Sequence, residues 1–326
     1  MNNYPLISVV IPTYRREKLL QDSILDVLKQ DYPHFEVLVV DQTQTHEPET
    51  KAFLADMAAS GKIKLFSLDW ASLPGARNYA VRRSSGEIIL FIDDDIQLTP
   101  GFLAAHGKNY VENPKIGAVA GRVFDRMKLG DSRGELEIEY LPPEAMDPGI
   151  AWYHIDLVHT TKPQQVLTAR GCNMSFRREV FTKYGIQFDE RFRGSAVREE
   201  SDFCLRFRQS GYEIWYDPEA YLVHLGEDTG GCHDISMRSL QYQLTFYHNH
   251  FLLGLKNLTF TQALRLYGRL FDCHVLGHPP CYKSASPIKV ATRSIFYFLG
   301  FLKAVGTMIQ SAWNDGQIYS RLDQQV

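Results

Sequence analysis

Ile88-Ile89-Leu90-Phe91-Ile92-Asp93-Asp94-Asp95 is the stretch on which the reading of the chain turns. Five apolar residues in a row, mostly branched or aromatic, make a strand buried on both faces, the kind found in a parallel sheet. Three adjacent carboxylates follow where the strand leaves the core, and they repel each other and resist burial. One reading is a solvated acidic turn leading into a helix cap. The other is that the carboxylates are offered something positive. A divalent cation bridging to a phosphorylated ligand would serve, because hard cations take carboxylate and phosphate oxygens.

Upstream, strand and helix signals alternate. Ile7 to Ile11 is a strand closed by Pro12, and Glu17 to Gln30 carries Leu19, Leu20, Ile24, Val27 and Leu28 at helical spacing. Phe35 to Val40 is a second strand ending in Asp41, Pro48 to Ser60 a helix, Ile63 to Leu68 a strand, and Gly75 to Ser84 a helix. This alternation predicts a mainly parallel sheet with right-handed crossovers, flanked by helices. Ligands of such sheets sit beyond the carboxyl ends of the strands. Pro12, Thr13, Asp41 and the aspartate triplet share that rim, which favours the metal reading.

Downstream the rhythm loosens. Pro100 to Glu112 reads as a helix and Gly117 to Phe124 as a strand. Arg126 to Lys162 is a polar, proline-punctuated insert of the kind that forms binding loops, with an acidic stretch from Glu135 to Glu139. Strand character returns from Val166 to Phe176, interrupted by Gly171-Cys172-Asn173. Glu199 to Gln209 is a helix with Gly211 as its C-cap, and Ile214 to Tyr216 and Ala220 to His224 are strands. From about Ser236 the signals are helical, with Leu240, Leu244, Tyr247 and Phe251 on one face. The expected division is a catalytic region over 1–235, with a nucleotide-binding half to about 124 and an acceptor half over 125–235, then a helical appendage over 236–326.

The chain has 326 residues, 44% hydrophobic and 22% charged, which is globular rather than disordered composition. A formal charge of −3 gives no general attraction to nucleic acid. Cys172, Cys204, Cys232, Cys273 and Cys281 are scattered with no CxxC pair, against a disulfide framework or zinc cluster and in keeping with a reducing cytoplasm. Met1 to Pro5 lacks the basic and apolar regions of a secretory signal. Ile295 to Leu302, bounded by Arg293 and Lys303, is too short to span a bilayer of about 20 apolar residues. Basic and aromatic residues interleave through this tail, among them Arg265, Tyr267, Arg269, Phe271, Tyr282, Lys283, Lys289, Phe296, Tyr297 and Phe298. They suit either an anionic membrane surface, or packing onto the protein or a second copy of it.

Arg198-Glu199-Glu200-Ser201-Asp202 opens the helix that contains Arg206. Acids in a first turn favour the helix dipole, and Asp202 can pair with Arg206 one turn on. Beside a metal-bound phosphate leaving group, a carboxylate here could instead take the proton of a hydroxyl nucleophile. His224, at the end of an apolar strand, is either structural or a further metal ligand. Imidazole suits manganese better than magnesium.

Taken together, these residues resemble a family-2 glycosyltransferase of the GT-A fold. The resemblance rests on Val9 to Arg16, Val37 to Asp41, Gly75-Ala76-Arg77-Asn78, Phe91 to Asp95, Gly171 to Arg178 with Phe188 to Phe192, Glu199 to Asp202, and Pro218 to His224. It covers roughly residues 5 to 230. It implies a nucleotide-diphospho-sugar transferase that inverts the anomeric carbon by direct displacement. Pro12, Thr13, Tyr14, Arg16, Asp41, Arg77, Asp93 and Asp94 would lie on the donor side, with Asp41 at the base and Arg77 at the diphosphate. Asp93, Asp95 and His224 would hold Mn2+ or Mg2+. Gly171, Asn173 and Arg198 would face the acceptor, a saccharide or a lipid-linked one, and family habit suggests a UDP or dTDP donor. Glu200 is the expected base, with Glu199 and Asp202 as the other choices.

Two departures stand out. Gln44-Thr45 follows where the family has a second acid after the second strand, and Glu200 replaces the usual aspartate. The alternatives are a non-catalytic nucleotide-sugar or carbohydrate-binding protein of the same fold, or a sugar nucleotidyltransferase. The latter is disfavoured because Pro12 to Arg16 lacks glycine. The expected location is cytoplasmic, peripheral to the membrane.

Overall fold

The computed structural model of the chain describes residues 4–126, 137–155, 160–226, 230–231, 239–279, 281, 283 and 286–322. Glu135, Cys232 and Tyr282 lie outside the described residues. The first half runs β1 (Ile7–Thr13), α1 (Lys18–Leu28), β2 (Phe35–Asp41), α2 (Pro48–Ala59), β3 (Lys64–Ser67), α3 (Leu73–Val81) and β4 (Ile88–Ile92). Then come β5 (Ile96–Leu98), α4 (Phe102–Glu112), β6 (Ile116–Asp125), α5 (Ala151–Ile155), β7 (Gln164–Val166), β8 (Asn173–Arg177), α6 (Glu179–Thr182), α7 (Glu199–Phe207) and β9 (Glu213–His224). The C-terminal part is α8 (Leu240–Asn257), α9 (Phe260–Leu270), a π-turn over Phe271–Leu276 and α10 (Pro287–Leu322).

One sheet, ordered β3-β2-β1-β4-β8-β6-β9-β5 with β7 beside β9, carries the fold. β1 to β4 pair in parallel, as their alternation with helices requires. The sheet as a whole is mixed, because β8 runs antiparallel to both β4 and β6. The apolar runs are buried on both faces. Ile88, Leu90 and Ile92 join the core on one side with Ile7, Val9 and Ile11, while Ile89 and Phe91 join the core on the other with Val10 and Leu38.

Two expected strands merge into one. β9 continues through Pro218 because the register jumps from Gly121↔Asp217 to Arg122↔Tyr221, so Pro218 to Ala220 bulge out of the ladder. A proline lacks the N–H for a ladder bond and is tolerated at such a bulge. Asn109 Nδ2 donates to Asp217 Oδ2 at 2.5 Å and closes it.

The C-terminal helices share a core with the insert. Tyr247, Phe251, Leu252, Leu266, Leu270 and Val275 pack with Trp152 and Tyr153, and with Phe192 from the loop before α7. α9 starts on a capping box, Thr259 with Gln262. Lys256 of α8 pairs with Asp189 and, at 2.6 Å, with Asp202, which fastens the appendage to α7. Of the tail aromatics, Phe296 and Tyr297 turn inward, whereas Phe298 is 59% exposed.

Candidate active site

The rim forms as the strand order dictates, since Thr13 and Asp41 are register partners at the ends of β1 and β2. Asp95 and His224 meet for a different reason. β5 turns back after the triplet, Ile96 pairs with His224, and Leu225 N donates to Asp95 O at 2.9 Å. One ligand atom each from Asp93, Asp95 and His224 lie within 4.8 Å of one another. His224 Nε2 is 3.3 Å from Asp95 Oδ1 and 3.7 Å from Asp93 Oδ2. Burial alone would lower the His224 pKa, but Asp125 and Asp95 outweigh it and raise it to about 11. Two carboxylates and an imidazole converging in this way fit a divalent transition metal in their donor chemistry.

Behind the trio sits Arg16, buried with 4% exposure. Its Nη2 donates to Asp95 Oδ2 at 2.9 Å and its Nε to Asp94 Oδ1 at 3.2 Å. Thr13 Oγ1 donates to the other Asp94 oxygen at 2.6 Å. Both Asp94 oxygens thus have protein partners, although the residue still borders the cleft. Burial and the Asp95 charge raise its pKa, and Arg16 and Thr13 oppose them. Arg16 lines the cleft but spends its charge on the triplet.

Arg77 is 1% exposed beneath the cleft, between the rings of Phe91 and Phe188. It pairs with Glu199, donates to Gly171 O at 3.0 Å, and approaches Asp93 Oδ1 at 4.0 Å. A Cβ added at Gly171 would stand 3.0 Å from Arg77 Nη2, so the glycine lets the guanidinium reach the carbonyl. Arg77 therefore places a positive charge beside Asp93, one of the three converging side chains.

The acidic cluster separates by environment. Glu199 is tied to Arg77. Asp202 is fully buried and held by Arg206 at 2.7 Å, Lys256, and Asn257 at 2.8 Å, away from the cleft lining. Glu199 nonetheless lines the cleft, whereas Asp202 does not. Glu200 faces the cleft in the first turn of α7.

Two other expected site residues do not line the cleft. Asn173 is buried inside the sheet, bonded to His106 and to the carbonyls of Arg122 and Ala220. Asp41 is also buried, its oxygens taken by Thr43 N at 2.9 Å and by His46 Nε2 at 3.0 Å. The neighbouring Gln42 lines the cleft instead and accepts from Ser72 N at 2.6 Å.

A cleft of about 890 Å³ opens at this rim. Pro12, Thr13, Tyr14, Gln42 and Ser72 line it together with Asp93, Asp95, His224, Gly171, Arg198 and Glu200. Trp152, Tyr153, Tyr242, Phe246 and His274 line it too, and these residues were not read from the sequence as a site. Arg198 stacks on Trp152 and donates from Nε to His250 Nε2 at 3.1 Å. Its backbone, at φ 75°, and that of Ala196, at φ 53°, are left-handed, a conformation costing about 1–2 kcal/mol for a non-glycine residue. Strain of this kind in a cleft-lining loop is held by the packing around it.

Residues 8–185, more than half of the chain, match Glycosyl transferase family 2. The chain belongs to that family. It is 28% identical over 227 residues to the O-antigen biosynthesis protein RfbC of Myxococcus xanthus, a match covering 68% of this chain and 17% of that protein. It is 35% identical over 96 residues to the Escherichia coli protein WfgD, a UDP-Glc:alpha-D-GlcNAc-diphosphoundecaprenol beta-1,3-glucosyltransferase, covering 29% of this chain and 36% of that one. The chain therefore spans well under half the length of these curated relatives. Among solved structures, the mannosyltransferase PcManGT from Pyrobaculum calidifontis, in complex with GDP-Man and Mn2+, shares the fold. The TM-score is 0.54 at 15% identity, over 93% of this chain and 88% of that one.

Proposed function

We propose that the protein transfers a sugar from a nucleoside-diphosphate donor to a hydroxyl of a saccharide or lipid-linked acceptor, inverting the anomeric carbon. The observation that carries this reading is that Asp93, Asp95 and His224 converge in the same cleft that Glu200 lines. Those three residues would hold Mn2+ or Mg2+. A bound divalent ion supplies Lewis acidity, offsetting charge that grows on the leaving diphosphate. Arg77, beside Asp93, adds a fixed positive charge there. Glu200 takes the acceptor's proton as its oxygen attacks, worth roughly 10²–10⁴-fold. Glu199, neutralised by Arg77, leaves that role to its neighbour.

The relative named for UDP-Glc and a β-linked product supports a UDP donor and a single displacement, because an α-linked donor gives a β product in one step. The test is turnover of UDP- and dTDP-sugars with Mn2+, reading the anomeric configuration of the product. A retained configuration, or binding with no turnover of any sugar in the panel, would overturn the reading.

No helix among the described residues is long and apolar enough to cross a membrane. The exposed face of α10 supports peripheral contact: Ile288, Ile295, Phe298, Leu302 and Ile309 stand outward. Pro287 to Ser311 contains Lys289, Arg293 and Lys303 but no carboxylate. Such a face suits an anionic lipid surface. Co-sedimentation with phosphatidylglycerol vesicles that vanishes in I295E/L302E supports it. Loss of a dimer in sedimentation velocity, without a change in vesicle binding, would assign the face to a second copy of the chain.

A further inference from the structure

A second groove, of about 390 Å³, opens off the cleft. The two share a wall of Tyr242, Phe246, His274 and Lys283. Beyond the wall the groove is lined by Ile288, Lys289 and Arg293, at the start of α10.

The shared wall is ordered by its own bonds. Lys283 Nζ donates to His274 Nδ1 at 3.1 Å, and the other ring nitrogen lies 3.3 Å from Cys281 Sγ. Burial, then the charges of Lys283, Arg198 and Arg293, push the His274 pKa far down, so the ring stays neutral and accepts from the lysine. Three cations therefore look into the groove, from Lys283, Lys289 and Arg293. Among the described residues no carboxylate pairs with any of them, and the groove's described lining contains none. Three like charges in one concavity repel each other unless an anion enters. The apolar ridge of α10 starts at Ile288, on the lip of the groove, and runs on through Ile295 and Phe298.

We propose that this groove binds the diphosphate linking the acceptor saccharide to its lipid. The saccharide then reaches the cleft across Tyr242 and Phe246, and the lipid leaves along the ridge of α10. The assignment rests on the transfer reading above and narrows it to acceptors held by a phosphate ester. Phosphate oxygens suit three clustered cations, and the aromatic wall offers a sugar a flat apolar face.

Binding measured by calorimetry in EDTA, with no metal and no turnover, tests the groove separately from catalysis. The probes are farnesyl diphosphate, inorganic diphosphate and octyl glucoside. Farnesyl diphosphate is expected to bind wild type and to lose about tenfold or more in K289E/R293E, as expected from removing two charge-assisted contacts. Octyl glucoside binding should not change. A milder variant, K289Q, keeps the outcome readable if the double variant melts early, and it should still weaken farnesyl diphosphate severalfold. Unchanged farnesyl diphosphate binding in both variants overturns the proposal. Inorganic diphosphate bound as tightly as farnesyl diphosphate also overturns it, showing a free-anion site. Failure to turn over any sugar donor would strike the transfer reading and leave the binding result standing.

Discussion

Arg77 of α3 and Glu199 of α7 form an ion pair beneath the cleft with 1% and 2% of their side chains exposed, joining two elements 122 residues apart in the chain. Removing one member of a buried pair strands the other charge, at a cost of about 3–5 kcal/mol. R77M is expected to destabilise by that amount in urea unfolding. R77M/E199L, which removes both charges, should regain most of the stability while remaining inactive, because the charge beside Asp93 is gone.

Glu200 separates chemistry from binding. E200Q should bind a nucleotide with Mn2+ as wild type does, by calorimetry, and lose roughly 10²–10⁴-fold in kcat. E199Q should instead lose stability first, since Arg77 would then be the stranded charge. Equal loss of transfer in D202N at unchanged stability would move the base to Asp202 and refute the assignment.

Asp94 and Asp95 are adjacent but should respond differently. D95N is expected to abolish Mn2+-dependent UDP binding, because Asp95 Oδ1 faces His224 in the metal trio. D94N should retain that binding while lowering the melting temperature, because it weakens the ties to Thr13 and Arg16.

Acid should loosen the appendage. Burial works to raise the Asp189 pKa, but its bonds to Arg191 and the charge of Lys256 outweigh it and hold the carboxyl well below its ordinary value. A depressed folded-state pKa gives stability that is complete above the unfolded value, about 4, and is lost as pH falls below it. Urea midpoints measured from pH 6 down to pH 3 should therefore fall, and D189N should be less stable at pH 6 with a shallower acid limb.

Periodicity was a sound guide wherever burial follows from local sequence. The two-sided apolar runs of β1, β2 and β4 and the stripe of α1 are set by their own residues, and those strands appear where the alternation puts them. That Asp93, Asp95 and His224 belong to one site could be suspected from acids and a histidine at strand ends, but their meeting depends on β5 pairing with β9. What the sequence concealed was which carboxylates were already occupied. Asp202 accepts from Lys256, 54 residues away, and Asp41 is bonded to His46 in the next loop. Side-chain chemistry does not distinguish a satisfied aspartate from an available one. β5 is three residues long and carries too few to show a period. Trp152 and His250 meet Arg198 only through the packing of the insert against α8, which leaves no local signature.

The short antiparallel pairing of β5 with β9 also bears on how this chain could tolerate changes in length. Asp95 and His224 are placed by a count of residues, from the Ile96↔His224 pairing back to the triplet and from the bulge at Pro218 forward. One residue added between Tyr221 and His224 would rotate the imidazole to the other face of the sheet. Donor chemistry would then be lost with the core intact. The pairing of β5 with β9 is thus a ruler for the cleft, and a change of length there is read directly at Asp95 and His224.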